Sequence, residues 1–157
     1  MPILRYGLTL WGGDPKSKRI FWLQKKVIRI IGGIGWRASC RNLFKTLNIL
    51  PLPCLYISET VCKIKSNMEK MKYNREIHDH CTRQKSDLHD QFYWTTVFKK
   101  NSATTGIKLN NKLPYTIKKL DKKQEFKRRL RYFLMQRTFY SVNENISLEA
   151  PPSLNCL

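Results

Sequence analysis

Acidic residues are scarce in this chain: eleven Asp and Glu stand against thirty Lys and Arg, for a formal charge of +19. No two aspartates are adjacent; Asp14, Asp79, Asp87, Asp90 and Asp121 are dispersed, and Asp87 and Asp90, which could share a helix face, sit among solvated polar residues. Two-metal polymerases and nucleases need carboxylates converging on ions about 4 Å apart. The sequence therefore offers no catalytic carboxylate set. Nor does it hold a nucleophile elbow or a glycine-rich phosphate loop ending in Lys-Ser/Thr. No catalytic, cofactor-binding or metal-ligating residue is assigned.

Long apolar runs are missing as well. The stretches Ile20–Leu23 and Val27–Ile31 are interrupted by Gln24, Lys25, Lys26 and Arg29, far short of the roughly 20 apolar residues a membrane span needs. The first ten residues contain Arg5 and no small-residue cleavage pattern, so no signal peptide is expected. Cys40, Cys54, Cys62, Cys81 and Cys156 follow no motif spacing. An odd number of scattered cysteines without a secretory leader reads as reduced thiols of an intracellular protein, cytoplasmic or nuclear.

What is present is a chain of 157 residues, 41% of them hydrophobic, enough for one modest domain with a real core. A compact domain of such charge repels itself unless a polyanion neutralises part of it. Phosphate backbones are the commonest such partner, because binding them releases condensed counterions. An anionic membrane surface is the second.

The periodicity predicts a mainly α fold of four or five helices, with a loop-rich middle and a disordered C-terminal tail. Pro2–Trp11 reads as extended or irregular, and Asp14-Pro15 as a helix start. From Lys16 to Ile31 the apolar residues Ile20, Leu23, Val27 and Ile30/Ile31 recur at helical spacing, with no acid in between. Gly32-Gly33 ends that helix. A short helix from about Ser39 carries Leu43, Phe44 and Leu47 inward until Asn48 and Pro51-Leu52-Pro53 stop it. Ile57, Val61, Ile64 and Met68 then mark one apolar stripe. Residues 1–69 form the first region on this reading. A polar connection over 70–105 interleaves His78, His80, His89, Phe92, Tyr93 and Trp94. The third region, 106–142, holds Leu113, Ile117 and Leu120 at helical spacing. Its last helix, about Lys123–Tyr140, sets Phe126, Leu130, Phe133 and Leu134 on one face. From Lys112 to Arg137 ten Lys or Arg face only Asp121 and Glu125. Residues 143–157, with Pro151-Pro152, are the tail.

Two short patterns carry less than they suggest. Gly33-Ile34-Gly35-Trp36-Arg37-Ala38, with Glu59 beyond it, matches a dinucleotide-binding pattern, but a helix precedes it where a strand is required. His78-Asp79-His80-Cys81 with His89 lacks the paired spacing of structural zinc sites and reads as exposed loop. The basic runs weigh more. Lys118-Lys119, Lys122-Lys123 and Lys127-Arg128-Arg129 with Arg131 surround a helix whose other face is apolar. A solvated face explains such a run in many proteins, but here the excess is global and almost uncompensated. Nucleic-acid contact is the expected use. Trp36, Tyr93, Trp94 and Tyr132 are of the type that stacks on bases, and none is assigned a base.

In order, Tyr6-Gly7 with Trp11-Gly12, Leu23-Gln24-Lys25-Lys26 with Ile28-Arg29-Ile30-Ile31, and Leu43-Phe44-Lys45 with Leu47 and Ile49-Leu50 form a series. His78-Asp79 with Thr82-Arg83, Gly106-Ile107-Lys108-Leu109, Asn111-Lys112-Leu113-Pro114 and Phe139-Tyr140-Ser141-Val142 complete it. Together they resemble the carboxy-terminal region of the reverse transcriptase of jockey-like non-LTR retrotransposons, from about Tyr6 to Val142. The resemblance implies a helical thumb and the segment beyond it, gripping the template–primer duplex while RNA is copied into DNA. Lys18, Lys25, Lys26 and Arg29 then become candidate phosphate contacts on the first long helix, with Lys119, Lys123, Lys127, Arg128, Arg129 and Arg131 on the last. Such contacts position nucleic acid without reading its sequence. The family's paired aspartates, where the polymerase holds Mg, have no counterpart here, and neither has its endonuclease. The chain is accordingly expected to be part of a longer frame, its exposed apolar surface covered by the missing polymerase domains. The expected function is non-catalytic binding of RNA or DNA. A host-adopted RNA-binding or structural protein and a basic membrane-surface or partner-binding protein are the alternatives.

Overall fold

Pro51 and Pro53 start a helix rather than merely stopping one. A proline lacks the N–H that the first turn leaves unpaired, so it costs little there. The computed structural model describes residues 3–77, 84–90, 94–95 and 101–146. Within them the chain is mainly helical and forms no strand, only an isolated bridge between Tyr73 and Leu88. In chain order the helices are α1 (Leu8–Trp11), α2 (Ser17–Ile31), α3 (Arg41–Thr46), α4 (Leu52–Ser66), α5 (Asn74–Ile77), α6 (Ser102–Asn111), α7 (Tyr115–Lys118), α8 (Lys123–Arg137) and α9 (Val142–Ile146). The long ones, α2, α4, α6 and α8, carry the architecture.

α4 is the axis of the domain. The expected stripe Ile57, Val61 and Ile64 is buried, but so are Leu52, Cys54, Leu55, Tyr56 and Thr60 on its other sides. Helices α1, α2, α6 and α8 all pack on it, so it has almost no free face. Each aliphatic side chain buried in this way contributes about 1.5–3 kcal/mol over leaving it in water. Met68 falls past its end, half-buried in a 3-10 turn, Met68–Lys70.

α6 crosses α4 at close range because Gly106 has no side chain: a Cβ there would lie 2.6 Å from Ile64 Cγ1 and 2.9 Å from Thr60 Cγ2. α8 runs antiparallel to α4. Lys65 near the end of α4 sits over Phe126 near the start of α8, 5.7 Å from the ring centroid. Cys54 at the start of α4 directs its thiol to the carbonyls of Leu134 and Phe139.

Several expectations need correction. Within the segment Pro2–Trp11, the described residues 3–11 form a 3-10 turn, Ile3–Arg5, and α1, whose Leu8 is buried. On α2, Asp14 accepts from the Lys16 N–H at 2.7 Å as a start signal should, and Gly33 takes the left-handed conformation past its end (φ 60°). Yet the core-facing residues are Phe21, Gln24 and Ile28. Leu23, Val27, Ile30 and Ile31 are exposed, because the body of the protein lies about a quarter-turn round from the apolar row. The spacing Leu113–Ile117–Leu120 spans a break at Pro114 rather than one helix, and all three residues still face the core. α8 ends at Arg137, where Thr138 takes a left-handed turn (φ 44°), so Tyr140 is not helical. Asn143 and Glu144 belong to α9 and not to a tail; residues 147–157 lie outside those described.

The polar middle is tied down where it is described. The Asn111 side chain donates to the Leu88 carbonyl at 2.9 Å and accepts its N–H at 3.0 Å, which holds Leu88 in the interior. Asp87 and Asp90 are not merely solvated: Lys118 binds Asp87 at 3.1 Å and Lys108 binds Asp90 at 3.4 Å. His89 meets Asn74 through Nδ1 at 3.2 Å. His78, His80 and Cys81 lie outside the described residues.

Candidate nucleic-acid interface

Helical geometry decides which cations of α2 and α8 remain available to a ligand. Lys18 and Lys26 on α2, Lys119 just past α7, and Lys123, Lys127, Arg128 and Arg129 on α8 are exposed. The other three expected contacts are half-buried and have structural work. Lys25 places its ammonium 5.0 Å from the Phe21 ring and 5.5 Å from that of Tyr140. Arg29 donates from Nε to the Ala38 carbonyl at 3.1 Å, closing the loop after α2. Arg131 donates to the Asn48 carbonyl at 2.9 Å and to its Oδ1 at 3.2 Å. Asn48 is itself left-handed (φ 52°), so Arg131 braces the strained turn between α3 and α4.

The ten residues do not converge on one spot. Those of α2 and of α8 sit on separate helices that both rest on α4, and α3 adjoins both. Sequence reasoning passed over Arg19, exposed on α2 within the same acid-free run. It also passed over Tyr115, exposed one turn before Lys119, as Tyr132 is exposed one turn after Arg128. A ring and a cation at that spacing share one helix face. Their pairing was visible in the sequence, but not which face would be outward.

Charge compensation is the sharper observation. The ion pairs among the described residues are Arg5–Glu59, Arg41–Glu144, Lys108–Asp90 and Lys118–Asp87. None of them involves a cation of α2 or α8. Exposed cations not tied into ion pairs keep their field for a ligand. The described geometry thus supplies exposed cations and two outward tyrosines. Among the described residues no three His, Cys, Asp or Glu gather as metal ligands, and no helix is long and apolar enough to cross a membrane. A cleft of about 200 Å³ lined by Asp14, Lys18, Phe21 and Tyr140 opens at the start of α2. It is no anion cradle, because the nearby N–H groups already bond within the turn.

Burial pushes the Cys54 thiol up to about 12, with the Phe139 contact opposing it, so this cysteine stays protonated. Burial also raises the thiol of Cys62, against the pull of Lys127. Glu144 behaves oppositely. Burial raises its carboxyl, but the Tyr140 N–H and the Arg41 guanidinium, both at 2.6 Å, outweigh that and hold it below its ordinary 4.5. A depressed carboxyl stabilises the fold above its unfolded pKa and loses that contribution as pH falls through the folded value. Stability is therefore expected to drop below about pH 4.5. Glu144→Gln flattens that part of the curve, by well under 1 kcal/mol for so exposed a pair; thermal melts across pH 3–6 check it.

Compared with protein-family models, curated proteins and solved structures, the chain matches none of them.

Proposed function

We propose that this chain binds RNA or DNA without catalysing a reaction, as the C-terminal part of a non-LTR retrotransposon RNA-directed DNA polymerase that grips template–primer through its phosphates. The observation that carries the binding is the set of exposed cations on α2 and α8 with no acidic partner among the described residues. Phosphates are the ligand such charges attract most generally, and each one neutralised releases counterions. The ordered resemblance from Tyr6 to Val142 supports the origin. In that parent, Mg would be held by paired aspartates outside this sequence.

Arg131 braces the Asn48 turn, so the informative variant spares it. Lys127→Gln with Arg128→Gln and Arg129→Gln is expected to weaken binding to a short RNA hairpin about tenfold. The slope of log affinity against log salt is expected to fall by roughly 0.9 for each phosphate contact removed. Fluorescence anisotropy over a salt series measures both. Unchanged affinity and slope would remove α8 from the interface. The origin has its own test, the genomic sequence upstream of Met1. A frame encoding paired aspartates supports it, whereas a single-copy gene without polymerase remnants favours an adopted RNA-binding protein.

A further inference from the structure

Nucleic-acid binding leaves one prominent feature of α2 unused. Ile20, Leu23, Val27 and Ile30 follow one another at intervals of three, four and three residues. That is the seam spacing of a coiled coil, with β-branched residues at three of the four positions. The helix already spends a different face on its own core, through Phe21, Gln24 and Ile28. Leu23 is 53% exposed, Val27 49% and Ile30 71%, while Ile20 at the start of the row is half-buried against the core. Phosphates gain nothing from aliphatic side chains, and contiguous apolar surface of this kind marks an interaction site.

We propose that this seam docks an amphipathic helix of a partner protein whose flanking residues are acidic. The chemistry of the flanks selects that occupant. On the open side the seam is bordered by Arg19 and Lys26, seven residues apart and both exposed. In a helix pair these are the positions that choose the partner by charge. The opposite flank holds Gln24, which is buried and committed to the Leu50 carbonyl and the Leu52 N–H. The incoming helix thus meets charge on one side only, and that charge is positive. Trp22 stands beside Lys26, whose ammonium lies 5.8 Å from the ring centroid, and helps to hold it at the border.

A second copy fits poorly. Antiparallel pairing sets Arg19 and Lys26 against themselves, and parallel pairing turns them toward a flank covered by the other copy's own body. Two chains of +19 also repel at long range. A lipid surface fits poorly because helices lying in it present a broad apolar arc. Here part of that arc faces the core, and the exposed part, Leu23, Val27, Ile30 and Ile31, is bordered on one side by Arg19 and Lys26.

The probe is a labelled peptide of about three heptads, with Ile and Leu in its seam and Glu at its flanks. Its control is the same composition scrambled. By anisotropy the full chain is expected to bind the seam peptide about tenfold or more tightly than the scrambled one. Leu23→Ser with Val27→Ser, which adds no charge beside the cations of α2, should abolish that preference while leaving the helical circular dichroism and the RNA affinity unchanged. Arg19→Glu with Lys26→Glu should redirect the preference to a seam peptide flanked by Lys. Equal binding of the two acidic peptides would mean charge alone and overturn the proposal. So would sedimentation of the parent chain as a dimer dispersed by the Leu23/Val27 change. Preferential binding to phosphatidylcholine–phosphatidylserine vesicles, lost in that same variant, would overturn it in favour of a membrane.

Discussion

Replacing Gln24 by Leu is expected to destabilise the domain by about 2–4 kcal/mol, although the new side chain is apolar, of similar size and points into the core. Gln24 is only 6% exposed, and its amide uses both ends. Nε2 donates to the Leu50 carbonyl at 3.0 Å, and Oε1 accepts the Leu52 N–H at 2.8 Å. Those groups bracket Pro51, which has no N–H of its own, at the point where the chain turns into α4. The Leu52 N–H belongs to the first turn of that helix, where no carbonyl within the helix can reach it. A side chain from α2 therefore caps α4 across the core. Leucine would leave a donor and an acceptor buried without partners, at about 1–3 kcal/mol each, offset in part by the extra apolar burial. Urea unfolding measures it, with the midpoint lowered and the slope unchanged. A loss below about 0.5 kcal/mol would mean that the turn reorganises to satisfy both groups.

Gly106→Val is expected to cost about 3 kcal/mol, at the upper end of the usual penalty for overpacking a core. Replacing a helical glycine by alanine ordinarily gains up to about 1 kcal/mol, so the sign here is diagnostic. The first added carbon already meets Ile64 Cγ1 at 2.6 Å and Thr60 Cγ2 at 2.9 Å. Both neighbours are β-branched and buried in the axial helix, so neither can swing aside cheaply. The branched side chain of valine forces α6 off α4. Pairing Gly106→Ala with Ile64→Ala should recover part of the loss, since the added methyl then occupies part of the space the isoleucine carbons vacate. The double-mutant cycle reads this as a favourable coupling between sites that are each destabilising alone. Additive losses would place the strain elsewhere than at this crossing.

Helix content was legible along the chain because it depends on near neighbours. The 3.6-residue period over Lys123–Arg137 and the start and stop signals around α2 need no tertiary information. Short elements were not legible. α1 and α9 are too brief to show a period, and packing rather than propensity sustains helices of that length. In the candidate interface the identity of the cations was readable, but their availability was not. Lys25, Arg29 and Arg131 look like Lys26 and Arg128 in the sequence. They differ only in lying within reach of Tyr140, Ala38 and Asn48.

Charge, the shortage of acids, the absence of a paired-aspartate motif and the mainly helical class follow from the sequence by itself, since each is a sum or a local pattern. Which face of α2 turns inward was decided only by the tertiary structure. Its amphipathic row Ile20–Leu23–Val27–Ile30 is the better apolar stripe, yet the helix turns toward Phe21 and Ile28. The reason is physical: Gln24 pairs with the Leu50 and Leu52 backbone, while Phe21 stacks near Phe44 and Tyr140. Those contacts join residues as far as 119 positions apart, beyond the reach of any window of periodicity. They leave Leu23, Val27 and Ile30 of the stripe, and the cations beside them, facing outward.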